Sequence, residues 1–333
     1  MALLRYRLRN VNFVLVFAAG IVGATPCGRP GQAQGGPPQG ISRAEPLASW
    51  YSRYSGFLAL AFPLKAPDDA KALADKLPSL TAEISQPLDS IGTVHYSRFV
   101  VLSHKTLLLL ANFDGEMKPL FGEFARRLGG LFDTIFAHVS DPPPTPVANN
   151  VTAFVEWASR KNIKSFATYI AYPKGSVEKI KSLALGAGVR GTAEQHPFLV
   201  ILPISSGAGV LALEGVLAGL NPRLNSISDE IGTLHFAAFM PLEDKQIGFF
   251  TIYDGTFENY VMDFTKFLGP IFDVLAKFIV DAYPTPTAKN VDALIKWVAQ
   301  HNLSPIGMYN AHAGLSVQDV NALFAGAETA AAE

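Results

Sequence analysis

From residue 56 onward the chain alternates between short unbroken apolar runs and longer stretches in which apolar positions recur every three or four residues. Residues 56–65 are a continuous apolar run bounded by proline, the pattern of a strand buried on both faces. Residues 67–80 place Ala70, Leu73, Ala74, Leu77 and Leu80 at helical spacing. Two strands follow, at 91–102 and 107–113, with a tight polar turn at His104-Lys105 between them. Residues 116–139 carry Leu120, Phe121, Phe124, Leu128, Leu131, Phe132 and Phe136 on one side, so they predict an amphipathic helix that Gly129-Gly130 kinks or splits. Thr145-Pro146 predicts another helix start, with Thr as cap and Pro in the first turn, running to Arg160. A strand at 165–172 and a short helix at 176–185 complete the set.

The same order then repeats at a constant offset of 140 positions. His95 and His235, Asp114 and Asp254, and Trp157 and Trp297 all differ by that number, and no gap is needed. Roughly a third of positions are identical in the better half of the match, so each copy reads as one structural unit. Stripped of extra helices, that unit is β-α-β-β-α-β, the ferredoxin-like arrangement. Its sheet is apolar on both faces and needs a second cover. The expected fold is therefore α+β, two tandem ferredoxin-like repeats at 49–190 and 191–333 packed sheet to sheet as an internal barrel.

Composition narrows the function classes. At 333 residues and 49% hydrophobic, the chain can fill large cores. A net charge of −1 gives no general basic field, which argues against nucleic-acid binding. The single Cys27 excludes an intramolecular disulfide and any CxxC site. Arg5, Arg7 and Arg9 precede an apolar run ending in Val22-Gly23-Ala24, the layout of a secretory signal over 1–24. An uncleaved anchor would instead tie the protein to a membrane. Residues 25–48, rich in Gly, Pro and Gln at their start, read as a linker. The expected location is secreted or periplasmic, and the sequence names no partner chain.

The candidate chemistry comes from the hairpins. With a two-residue turn at Asp244-Lys245, residues whose numbers sum to 489 stand opposite one another, and His235 and Asp254 do. His95 and Asp114 meet the same condition about His104-Lys105. Two readings stand: a carboxylate that orients an imidazole for general-base work, or an Asp that caps the helix after the Asp-Gly turn while His satisfies its other oxygen. A three-residue turn would shift the register and remove the premise. Arg98 becomes Ala238 in the second copy, on the strand face expected to lie opposite His95, which suggests a one-sided anion site. Tyr169 and Tyr309 are kept in the closing strands as binding candidates or core aromatics. The other histidines, His312 among them, lack metal-ligand spacing, so no metal is expected. Gly186 to Gly191 spells GxGxxG but follows a helix, where no phosphate turn forms.

The segments Gly92-Thr-Val-His-Tyr-Ser-Arg-Phe99 and Asn112-Phe-Asp-Gly115, with their counterparts in the second copy, resemble a bacterial group in the dimeric α+β barrel superfamily, neighbours of the dye-decolourising peroxidases. The resemblance implies a haem at a G-x-x-D-G motif, whose Asp would be Asp114 or Asp254; the first Gly of that motif is Ala111 in one copy and Thr251 in the other. Three functions follow as expectations. The first is a barrel that binds a small molecule or serves as an assembly component, with no cofactor. The second is a haem-dependent oxidoreductase. The third is a cofactor-free barrel monooxygenase in which Arg98 holds an anionic oxygen.

Overall fold

The computed structural model describes residues 5–8, 11–14, 56–243 and 245–332. Two short strands, Arg5–Leu8 and Val11–Val14, pair antiparallel in a unit of their own. The rest of the expected export segment, and the linker with Cys27, lie outside the described residues. Among the described residues, no helix is long and apolar enough to cross a membrane.

The second unit, Glu45–Glu333, holds both copies. The first supplies β1 (Gly56–Pro63), α1 (Pro67–Ile91), β2 (Val94–Leu102), β3 (Thr106–Phe113), α2 (Met117–Arg127), α3 (Gly129–Phe136), α4 (Val151–Lys161), β4 (Ala167–Ile170) and α5 (Val177–Ala187). The second supplies β5 (Gln195–Pro203), α6 (Gly207–Ile231), β6 (Leu234–Leu242), β7 (Gln246–Asp254), α7 (Phe257–Leu275), α8 (Val291–His301), β8 (Ile306–Asn310) and α9 (Val317–Ala332).

Two expected boundaries move. The helix expected at 67–80 runs on to Ile91, because Thr81, Ile84 and Leu88 continue its buried stripe, and it ends at left-handed Gly92. Thr145-Pro146 does not cap α4: a single 3-10 turn, Val147–Asn149, intervenes, and its first N–H is taken by the Asp133 carboxylate at 2.8 Å. The second copy repeats this with Thr287 and Asp273, also at 2.8 Å.

The larger departure is in the sheets. Both are four-stranded and antiparallel, with orders β8-β2-β3-β1 and β4-β6-β7-β5. Each copy therefore puts three strands into one sheet and its closing strand into the other: β4 pairs with β6, and β8 pairs with β2. The repeat bounds at 49–190 and 191–333 mark copies of sequence, while each sheet is a composite of the two. Tyr hydroxyls hold the exchanged strands to the opposite copy's long helix, Tyr169 to Asp229 and Tyr309 to Asp89, both at 2.8 Å. The edge strands β1 and β5 are covered by Asn162 and Asn302, whose side chains accept from Ala59 N and Leu199 N at 3.0 Å.

Helices α1–α4 cover the outer face of the first sheet over Phe62, Phe99, Phe132, Phe154 and Trp157. Helices α6–α8 cover the second over Phe239, Phe249, Phe264 and Trp297. The inner faces meet in a third core that includes Val100, Leu108 and Leu110 from one sheet and Leu199, Phe236 and Phe250 from the other, joined by Ile180 of α5 and Val320 of α9. The space between the sheets is thus filled mainly by side chains.

Candidate functional site

The hairpin turns have three residues, not two: Leu102 pairs with Thr106 and Leu242 with Gln246. That register alone would part each His from its Asp. A β-bulge restores the match, because the pairing shifts between Val94 and Tyr96 and again between Leu234 and Phe236, with the histidine as the extra residue. The contacts expected from the wrong turn are present for a different reason: His95 Nε2 lies 2.8 Å from Asp114 Oδ1, and His235 Nε2 lies 2.7 Å from Asp254 Oδ1. The bulge also reverses side-chain parity. Val94 and Phe99 face the helices while His95 contacts Phe236 and Tyr172 of the interior core. Arg98, expected opposite His95, consequently shares the interior with it, 4.2 Å over the Phe250 ring.

Each aspartate does more than hold its histidine. Asp114 Oδ2 accepts from Val177 N at 2.7 Å and Asp254 Oδ2 from Val317 N at 2.8 Å, so each carboxylate sits on the positive first turn of α5 or α9. The capped helix is the one that ends each copy and not the one after the Asp-Gly turn. Because a carboxylate only accepts, Nε2 of His95 and of His235 donates to its aspartate, and Nδ1 of each ring turns its lone pair to the interior.

What meets those lone pairs differs between the copies. His95 Nδ1 lies 3.1 Å from His312 Nε2, whereas His235 Nδ1 accepts from the Tyr172 hydroxyl at 2.9 Å. Tyr172 and His312 are equivalent positions under the 140-residue offset. Tyr96 bridges the two arms, its hydroxyl 3.5 Å from both Tyr172 OH and His312 Nδ1. A chain of polar side chains therefore crosses the barrel from Asp114 through His95, His312, Tyr96, Tyr172 and His235 to Asp254. Gln195 closes it on one side, its amide nitrogen donating to Tyr96 OH at 3.1 Å and to Leu315 O at 2.8 Å.

Burial sets the electrostatics. His95 and His235 are fully buried. Burial, with His95 and His235 nearby, holds His312 well below the usual histidine range, so it is neutral at pH 7. Burial also pushes the Tyr96 and Tyr172 hydroxyls up, keeping both protonated. The chain contains a neutral imidazole acceptor flanked by two phenol donors, an arrangement able to accept from or donate to a protic molecule.

The four histidine and aspartate candidates and Arg98 thus come together, while Tyr169 and Tyr309 lie on the helix-covered faces. Sequence reasoning passed over Tyr96, Tyr172, Gln195 and His312. Divergence between equivalent positions, Tyr172 against His312 and Tyr96 against Phe236, was the available signal. Gly191, last residue of the dismissed GxGxxG, has a packing role: a Cβ there would meet Gly314 O at 1.8 Å, where the approach to Gln195 crosses the loop before α9.

A haem does not fit these residues. Both oxygens of each aspartate are engaged, both dyad imidazoles have Nε2 committed to carboxylate, and the interior is packed where a porphyrin would need a flat slot. Among the described residues, no group of three His, Cys, Asp or Glu side chains is placed to hold a metal ion.

No family model and no curated protein matches the chain. Among solved structures, an anthrone oxidase-like protein aligns over 79% of this chain and 96% of its own, at 8% identity and a TM-score of 0.32. A proposed monooxygenase of Lactobacillus acidophilus NCFM covers 78% and 97% at 10% identity, TM-score 0.29. Another, from Fusobacterium nucleatum subsp. nucleatum, covers 79% and 97% at 7% identity, TM-score 0.33.

Proposed function

We propose that the protein is a small-molecule-binding α+β barrel that takes a protic aromatic compound at His312 and Tyr96, between the two composite sheets. One observation carries the reading: the hydrogen-bonded chain from Asp114 to Asp254 is symmetric at its ends and differs between the copies at its centre. Symmetric ends serve the fold. A centre where one copy places His and the other Tyr serves no packing need that a shared residue would not meet. Rings of Tyr96, Tyr172 and Phe236 surround that centre and touch one another or His312 at 5.1 to 5.9 Å between centroids, so an aromatic guest enters by replacing those ring contacts with its own.

Phenol is the simplest probe. Titration followed by ligand-detected NMR is expected to show saturable binding that His312→Tyr, which copies the equivalent residue of the first repeat, weakens at least tenfold. Absence of saturable binding, or binding indifferent to His312, refutes the proposal. The expected export of the chain belongs to the same proposal, and the N-terminal sequence of the mature protein tests it.

The lone pair of His312 Nδ1 favours a second reading, a cofactor-free monooxygenase. An acidic C–H or O–H of the guest can donate a hydrogen bond to that nitrogen, and the anion formed once the guest's proton leaves to solvent can react with dioxygen. With anthrone, the methylene carbon across the ring from the ketone would lose both hydrogens and take one oxygen atom as a second ketone, the other oxygen leaving as water with those hydrogens, giving anthraquinone. Oxygen uptake above the buffer rate that His312→Tyr abolishes is the expected result; uptake at the buffer rate eliminates this second reading.

A further inference from the structure

The two walls of the barrel interior differ in chemistry. The wall made by β2 and β3 presents Tyr96, Arg98 and Asn112; at the equivalent positions, β6 and β7 present Phe236, Ala238 and Ile252. Arg98 is 2% exposed and Asn112 is 3% exposed. Arg98 Nη2 crosses the gap to donate to Phe198 O of β5 at 2.7 Å, while Nε and Nη1 have no hydrogen-bond partner among the described residues. Asn112 stands opposite Tyr96 on the neighbouring strand, and its Oδ1 is also buried without a hydrogen-bond partner among the described residues.

A guanidinium stays charged at neutral pH, and enclosing it without a counter-charge is unfavourable. Burial acts against the charge here, and Arg98 makes no ion pair with a described residue. A brace between the sheets would need only the one bond to Phe198 O. The remaining donors, beside an amide that can turn its N–H2 inward by a half-rotation, are the complement of a planar oxyanion. Ala238, the equivalent position on the other wall, leaves out the bulk that a second arginine would add.

We infer that Arg98 and Asn112 form a carboxylate subsite, so that the guest is an aromatic acid whose anionic end meets Arg98 while its ring or protic end reaches Tyr96 and His312. The inference rests on the proposed interior site and adds the charge of the ligand. Arg98 and Tyr96 project from the same face of β2 two residues apart, about 7 Å, which one substituted ring can span.

Benzoate and phenol share a ring and differ in the carboxylate, so calorimetric titration of both against the full chain at pH 7 separates the two ideas. Benzoate is expected to bind wild type at least tenfold more tightly than phenol. Arg98→Met should bring benzoate to the level of phenol, with Arg98→Lys between. Arg98→Met removes an unpaired buried charge, so it is expected to melt at or above the wild-type temperature without ligand, which controls for folding. If phenol binds in a His312-dependent way but benzoate binds no better, or if Arg98→Met leaves benzoate affinity intact, the carboxylate subsite is overturned and the interior site stands. If neither compound binds, both fall.

Discussion

Acidification is expected to weaken the fold through His312. Its imidazole is buried among His95, His235, Tyr96 and Tyr172, and its pKa is held well below the usual value by burial and the neighbouring histidines. In the unfolded chain the same group titrates near 6.5. Below that pH the unfolded state binds a proton that the folded state refuses, so the unfolding free energy falls by up to about 1.4 kcal/mol per pH unit. Above it the two states bind equally and the dependence vanishes. From pH 7.5 to 5.0 a folded state that takes up no proton at this group loses about 2 kcal/mol. Urea melts of wild type and His312→Phe at pH 7.5, 6.5, 5.5 and 5.0 would measure it. The variant should be less stable at pH 7.5, since His95 Nδ1 loses its donor, yet its curve should be flatter by that amount. Parallel curves for the two proteins would refute the assignment of a neutral, proton-refusing His312.

Two further outcomes are expected. Asp114→Ala and Asp254→Ala each remove one imidazole and one helix N–H partner at near-identical distances, so each should cost about 3–5 kcal/mol in chemical denaturation, and the two should agree within about 1 kcal/mol; a loss confined to one variant would contradict equivalent roles. Gly191→Ala drives a Cβ to 1.8 Å from a backbone oxygen, so the segment before β5 or the Gly314 loop must move, at about 3 kcal/mol and several degrees of Tm by calorimetry.

Most elements were legible in the sequence because apolar periodicity is a local signal: β1, β3, the α2–α3 break and α5 fall close to where spacing put them. The exchange of β4 and β8 was not. Both closing strands carry similar patterns, and a pattern that repeats cannot say which of two similar sheets a strand will join. The His-Asp contacts were reached through a turn one residue too short, and the compensating bulge left no mark in composition. Burial of His312 was hidden because a lone histidine looks alike on a surface and in a core. Divergence between the copies marks Arg98 against Ala238, and the same divergence at Tyr172 against His312 marks the centre of the site.

The exchanged strands also bear on the chain's first minute. On a ribosome, β2 is complete long before β8 appears, since Ile306 pairs with Phe99 about 200 residues upstream. At about 5–20 residues per second, the first sheet waits about 10–40 s with an open edge of bare amides and carbonyls. Synthesis order alone therefore prevents the first copy from finishing before the second, and a stalled or truncated chain would present that edge to any strand in reach.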